Sequence, residues 1–223
     1  MKMTDNKELA NSKGLANSLA GITRFDFLEE QAKQVKNLPG AVAEIGVYLG
    51  GTAKLLASTL MDKDIHLFDT FEGMPEVTKW DKHKKGDFGG AAELREQRKQ
   101  QRVAAPVSDD SISLLERVKG YLSDYSNVHF YPGLFPETTE DLVESTFCLV
   151  HVDVDIYEST KASIEYFWPK LVSGGIMVFD DYNAPSCPGT NKAVDEFFKP
   201  LGLAVVTSGK NRRCGTRIVK TSQ

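Results

Sequence analysis

Cysteine is scarce in this chain. Among its 223 residues stand only Cys148, Cys187 and Cys214, odd in number and widely separated, with no paired spacing that would announce a metal site or a disulfide framework. They read as reduced thiols, which fits an expected cytoplasmic location. A basic excess is also missing. Lys and Arg number 27 against 31 Asp and Glu, a net charge of −4, whereas a general nucleic-acid binder normally carries a basic balance. No nucleic-acid partner is therefore expected. No apolar run approaches the length that spans a bilayer. Met1 to Asn11 is polar and mixed in charge, unlike a signal peptide, so no membrane partner is expected either. Internal repeats and a second core are absent, and so is the Gly-x-Gly-x-x-Gly dinucleotide fingerprint.

What is present centres on Phe147 to Tyr182. Phe147-Cys-Leu-Val-His-Val-Asp-Val-Asp-Ile-Tyr157 and Gly174-Gly-Ile-Met-Val-Phe-Asp-Asp-Tyr182 are short apolar runs of the kind that form strands buried on both faces. Between them, Glu158 to Leu171 carries Ala162, Ile164, Phe167, Trp168 and Leu171 at roughly helical spacing. This is a βαβ unit with parallel strands. The first strand stops on Asp153 and Asp155, the second on Asp180 and Asp181, so four carboxylates are expected on one edge. Ligands of open α/β sheets bind on that edge. Crowded carboxylates need protons or a cation, and an all-oxygen set suits Mg²⁺. Single Asp residues at strand ends are also ordinary turn formers.

Taken in order, residues 1–20 form a polar arm and 24–37 a helix, with Phe25, Leu28, Ala32 and Val35 on one face. Leu38-Pro39-Gly40 ends it. Ala41–Ile45 is a strand leading into a glycine turn and a helix through Leu60, the opening of a doubly wound sheet. Asp64–Phe68 is the second strand, and Asp69 at its end is placed to accept the hydroxyls of a ribose. Residues 74–110 interrupt the rhythm with charged, glycine-containing sequence, including a helix-forming run from Glu93 to Arg102. A connection this long is read as a lid over the binding edge. A helix over Ser111–Leu122 and a strand over Val128–Tyr131 follow. Beyond the acidic strands, Asn183–Gly189 is expected as a loop and Lys192–Phe198 as a helix. Leu203–Thr207 and Thr216–Lys220 form an antiparallel pair about a turn at 208–211.

The expected fold is therefore α/β, a mostly parallel seven-stranded sheet with an antiparallel last strand, in a single domain over residues 1–223. Such a sheet looks like the class I S-adenosylmethionine-dependent methyltransferase fold. Five segments narrow the likeness: Glu44-Ile-Gly-Val-Tyr-Leu-Gly-Gly-Thr52, Phe68-Asp-Thr-Phe-Glu-Gly-Met-Pro75, Pro132-Gly-Leu-Phe135, His151-Val-Asp-Val-Asp-Ile-Tyr-Glu-Ser-Thr160 and Gly174 to Tyr182. In this order they resemble the macrocin O-methyltransferase family, from about Leu19 to about Phe198.

The resemblance implies a methyl transfer from S-adenosylmethionine to a sugar hydroxyl of a natural product, with a divalent metal. It puts the metal on Asp153, Asp180 and Asp181, and the catalytic base on Asp155. It puts the methionine part of the cofactor along Glu44, Gly46, Tyr48, Gly50, Gly51 and Thr52, with Asp153 also near the cofactor. The ribose falls to Asp69; Thr70 and Phe71 also belong to the cofactor site, and the adenine lies near Ser113. The lid after Gly73 is longer than the family pattern, so the acceptor is the least constrained part.

The chemistry of the residues agrees. Methyl transfer from a sulfonium is an in-line displacement that depends on positioning. Mg²⁺ chelated by a vicinal diol lowers the pKa of the attacking oxygen, and a nearby carboxylate can take the proton. His151 is an alternative base, set further from the edge. A catechol acceptor would chelate the metal equally well, and a non-catalytic S-adenosylmethionine-binding module would keep the same fold. The expected partner is a small molecule, and a homo-oligomer is left open.

Overall fold

A computed structural model describes residues 22–88, 112–143, 145–207 and 216–221. The expected arm at 1–20, the run from Glu93 to Arg102, the turn at 208–211 and Cys214 lie outside the described residues.

Chain order is α1 (Ile22–Val35), β1 (Ala41–Ile45), α2 (Gly51–Thr59), β2 (Ile65–Asp69), α3 (Leu114–Tyr121), β3 (Val128–Pro132), β4 (Phe147–Val152), α4 (Tyr157–Lys170), β5 (Leu171–Phe179), α5 (Pro188–Phe198), β6 (Val206–Thr207) and β7 (Thr216–Val219). The seven strands form one sheet in the order β3-β2-β1-β4-β5-β7-β6. The first five are parallel, and β7 runs antiparallel to both β5 and β6. This is the expected α/β architecture with its antiparallel last strand.

Strand periodicity explains the two layers. Val42, Ile65, Leu67, Leu149, Ile176 and Val178 project to one face, where they pack with α1, α2 and α3 through Phe25, Leu28, Leu56 and Val118. Ala43, Ile45, Phe68, Val150, Val152, Met177 and Phe179 project to the other, against α4 and α5 through Ile164, Phe167, Val194 and Phe198. Successive residues of a strand point to opposite faces, so a strand covered on both sides must be apolar throughout. All six residues of β4 are buried, and β4 lies between β1 and β5 at the centre.

Several boundaries differ from the sequence expectation, each for a local reason. The helix expected over 24–37 ends at Val35, where the amide of Leu38 bonds back to its carbonyl at 2.9 Å. The helix expected from Ser111 begins at Leu114, because Ser113 is its N-cap and accepts from the amide of Glu116 at 3.2 Å. β5 starts at Leu171 rather than Gly174, since Leu171 already pairs with Phe147 across an irregularity in the β4 register. α5 begins at Pro188 within the segment expected as loop. Proline is accommodated at N1, where its missing amide hydrogen would have had no helical partner. β6 is only Val206–Thr207 instead of Leu203–Thr207. Among the described residues no helix is long and apolar enough to cross a membrane.

Candidate active site

The C-terminal ends of β1, β2, β4 and β5 open into a cavity of about 370 Å³. Close backbone approach builds its floor. The amide of Gly46 bonds to the Phe68 carbonyl at 2.9 Å, and the amide of Asp153 bonds to the Ile45 carbonyl at 2.9 Å. Gly46 has φ +87, and a Cβ there would stand 1.8 Å from the Asp153 carbonyl oxygen. Only glycine fits that turn without moving β4 away.

Asp69 organises the other side of the turn. Its Oδ2 accepts from the amides of Val47 at 2.7 Å and Tyr48 at 2.9 Å, and its Oδ1 accepts from the amide of Phe71 at 2.7 Å. These bonds hold Tyr48 at φ 50 and Phe71 at φ 54, conformations that side-chain-bearing residues seldom adopt. A carboxylate offers about four acceptor sites. Three are taken by backbone, so Asp69 works first as a clamp on the glycine turn.

Three carboxylates crowd the cavity floor. One oxygen each from Asp153, Asp180 and Asp181 lies within 4.8 Å of the others. Burial, then the charges of Asp180, Asp181 and Asp155, push the Asp153 carboxyl well above the ordinary carboxylate range. Burial, then Asp155 and Asp180, do the same to Asp181. Arg24 of α1 reaches in and pairs through Nη1 with Asp180 Oδ2. Burial works against the charge of Arg24, but Asp180, Asp181 and Asp153 outweigh it and hold the guanidinium ionised. One guanidinium thus faces three carboxylates. The donor set is hard and oxygen-only, with more acidic than basic groups, a set of the kind that suits a hard divalent cation.

Asp155 belongs to a different cluster. Its backbone has φ 60, and its amide donates to Asp181 Oδ2 at 3.1 Å. The side chain sits beside His83 and Cys187: the Cys187 thiol donates to Asp155 Oδ1 at 3.2 Å, and His83 Nε2 is 3.7 Å from the same oxygen. Burial raises the Asp155 pKa, while the thiol hydrogen bond and His83 pull in the other direction. The four carboxylates thus share one edge but divide into a group of three and a single member turned toward His83 and Cys187.

Other expected site residues also separate. Gly46, Tyr48, Thr52, Asp69, Thr70, Asp153, Asp155, Asp180 and Asp181 line the cavity. Glu44 does not. It is fully buried, its Oε1 2.9 Å from His151 Nδ1, and its Oε2 has no hydrogen-bond partner among the described residues. The same pairing removes His151, 1 % exposed, from the position of an alternative base. Gly50 and Gly51 stand behind the wall, and a Cβ on Gly50 would meet Val118 of α3 at 2.9 Å. Phe71 is buried in the core against Phe130. Ser113 is an exposed helix cap, and its neighbour Leu114 reaches the cavity instead. The Ser-x-x-Glu spacing of Ser113 and Glu116 is a capping signature that could have shown this.

Sequence reasoning missed Arg24, His83 and Phe88. Nothing local marks Arg24, since it differs from other surface cations only by what α1 packs against. His83 and Phe88 lie on the described stem of the lid, 74–88. That stem is anchored to the fold: Asp81 Oδ1 accepts from the Tyr157 amide at the start of α4 at 2.8 Å. Gly189 leaves room for it, as a Cβ there would stand 2.0 Å from the same oxygen.

The chain matches the family model described as Macrocin-O-methyltransferase (TylF) over residues 3–204. It is 29% identical to demethyldecarbamoylnovobiocin O-methyltransferase of Streptomyces niveus over 196 residues, 85% of this chain and 70% of that protein. It is 30% identical to the tetracenomycin-C rhamnosyl 4'-O-methyltransferase of Streptomyces olivaceus over 180 residues, 78% of this chain and 65% of that one. Among solved structures, the O-methyltransferase NovP superposes with a TM-score of 0.69 at 25% identity, covering 96% of this chain and 88% of that one. The calicheamicin methyltransferase CalS11 shares the fold with a TM-score of 0.71 at 22% identity, covering 98% and 86%. A family match across nearly the whole length joins a sheet edge with this glycine turn and these carboxylates, and the chain belongs to the macrocin O-methyltransferase family, as an S-adenosylmethionine-dependent O-methyltransferase.

Proposed function

We propose that the protein transfers a methyl group from S-adenosylmethionine to one hydroxyl of a vicinal diol, on a sugar attached to a natural product, with Mg²⁺ as the metal. The observation that carries this is the trio Asp153, Asp180 and Asp181, whose oxygens lie within 4.8 Å of one another beside a cavity that also holds the glycine turn. The relative named for a tetracenomycin rhamnose supports the sugar class, and the one named for novobiocin supports a natural-product acceptor.

Each residue has a definable task. The turn at Gly46–Tyr48, clamped by Asp69, and Thr52 at the start of α2 hold the cofactor. Asp69 keeps about one free acceptor site for a ribose hydroxyl. Asp153, Asp180 and Asp181 would hold Mg²⁺, which when bound supplies positive charge to fix the diol and acidify its hydroxyl. Arg24 pairs with Asp180 and orients it. Asp155 accepts the acceptor's hydroxyl proton, and the pKa rise that burial gives it makes it a stronger base than an exposed carboxylate. With the cofactor bound, the oxygen would attack the methyl carbon in line, the C–O bond forming as the C–S bond breaks and S-adenosylhomocysteine leaving, while Asp155 holds the proton until it passes to solvent. Phe88, Met74 and Leu134 supply apolar walls that exclude water around the reacting centre.

The test is the rate of S-adenosylhomocysteine release from a panel of glycosides and catechols, measured against Mg²⁺ concentration for the native chain and for Asp155→Asn. Activity should vanish in excess EDTA and return with Mg²⁺. Asp155→Asn should lose about 10²–10⁴-fold in rate while keeping the Mg²⁺ midpoint. Full turnover in EDTA would remove the metal from the reaction, and turnover on catechols alone would replace the sugar.

A further inference from the structure

A second cluster of metal-type donors sits beside the oxygen-only trio and differs from it in chemistry. His83 Nε2, Asp155 Oδ1 and Cys187 Sγ form a triangle with edges of 3.2 Å for sulfur to oxygen, 3.7 Å for sulfur to nitrogen and 3.7 Å for nitrogen to oxygen. A tetrahedral Zn²⁺ with ordinary Zn–S, Zn–N and Zn–O bonds sets neighbouring donors about 3.4–3.6 Å apart. The observed edges bracket that face.

The surroundings match such a site. His83 turns its other ring nitrogen, Nδ1, toward Asp87 Oδ2 at 3.4 Å, the carboxylate backing that orients a metal-binding histidine. Ser186 Oγ lies 3.3 Å from the Cys187 sulfur. The three donors come from separate parts of the chain, each held by backbone contacts. The Asp155 amide is fixed by Asp181 and the Cys187 amide by the Ala184 carbonyl. The loop bearing His83 is held by Asp81 on α4, and by Lys82, whose Nζ donates to the Pro185 carbonyl at 2.7 Å. Cys187 is buried, whereas His83 and Asp155 face the cavity, so a fourth coordination position would open toward it.

We infer that His83, Asp155 and Cys187 form a binding site for one thiophilic divalent cation of the Zn²⁺ class, separate from the Asp153–Asp180–Asp181 site. Sulfur and imidazole donors select Zn²⁺ or Co²⁺ over Mg²⁺, while three carboxylates also suit Mg²⁺ when it is in excess. Charge balances: Cys187 gives up its thiol proton to solvent as the metal–sulfur bond forms, and one thiolate and one carboxylate neutralise the dication. A cation there cross-links the 74–88 stem to the start of α5 and occupies the carboxylate proposed above as the base. Its binding is independent of methyl transfer and is measured without it.

The experiment is a Co²⁺ titration of the full chain carrying Cys214→Ser, in excess Mg²⁺ to fill the carboxylate trio. One equivalent should produce a sulfur-to-cobalt charge-transfer band and the intense visible bands of a tetrahedral site, and Zn²⁺ should displace it. Adding Cys187→Ser should abolish the charge-transfer band. His83→Gln, on a partly exposed loop, should keep that band but weaken binding at least about tenfold, the lower end of what losing even an outer-shell partner costs. Circular dichroism confirms that each variant is folded. A weak octahedral spectrum in the parent, or an undiminished charge-transfer band in folded Cys187→Ser, would overturn the site.

Discussion

Glu44, level with His151 in the β1–β4 ladder, and Asp153, just past that ladder's end, carry carboxylates that meet opposite fates. Glu44 pairs with His151 inside the sheet, at 2.9 Å and almost without exposure. Asp153 lies just past the end of β4, two residues beyond His151, and meets Asp180 and Asp181 with Arg24 partly offsetting them. One acid has its partner built in. The other is left with surplus negative charge beside a cavity. A buried carboxylate with an internal partner serves the fold, whereas one that lacks a partner is held ready for a ligand.

The comparison breaks most sharply at Asp153. Asp153→Asn should remove a metal ligand and relieve repulsion together. Activity should fall at least about a thousandfold, the scale of the several kcal/mol that a Lewis acid contributes. The same variant should melt higher than the native chain in EDTA. An active variant, or one destabilised without metal, would make Asp153 a structural acid like Glu44.

Glu44 should show the reverse. Glu44→Ala leaves His151 without its partner and opens space in the sheet, so unfolding should become easier by about 1–3 kcal/mol. Activity per folded molecule should change little, because Glu44 does not reach the cavity. Denaturant titration and specific activity separate these effects, and loss of activity in a stable variant would return Glu44 to the cofactor.

The smallest effect sharpens the contrast through pH. Asp153 and Asp181 have folded pKa values raised above the unfolded ones. For a raised group, the stability contribution is complete below the unfolded pKa, near 3.9 for Asp, and is lost as pH rises through the folded pKa. Metal-free protein should therefore lose thermal stability as pH climbs from the ordinary carboxylate range toward neutrality, and Mg²⁺ should flatten that slope. Parallel melting profiles with and without Mg²⁺ would mean that the trio does not hold the ion.

Much of this was legible without coordinates because it rests on short-range pattern. The mostly apolar runs at Val42–Ile45 and Phe147–Val152 and the unbroken one at Ile176–Phe179 mark strands covered on both faces. Doublets of Asp at the ends of two parallel strands must then share an edge. The boundaries that shifted did so for local reasons, as at Ser113, which caps α3, and Pro188, which takes the first helical position of α5.

By itself, then, the sequence determined the α/β sheet, the glycine turn and the carboxylates at its edge, since strand period and parallel pairing leave few other arrangements. Tertiary structure decided what each acid does. Arg24 reaches Asp180 across 156 residues, His151 meets Glu44 across 107, and Cys187 and His83 meet across 104. Asp155 follows Asp153 by two, which in a regular strand would point both the same way. The left-handed turn at Asp155 sends its side chain to His83 and Cys187 instead. Partners at such separations depend on how whole layers pack, and no periodicity along the chain encodes them.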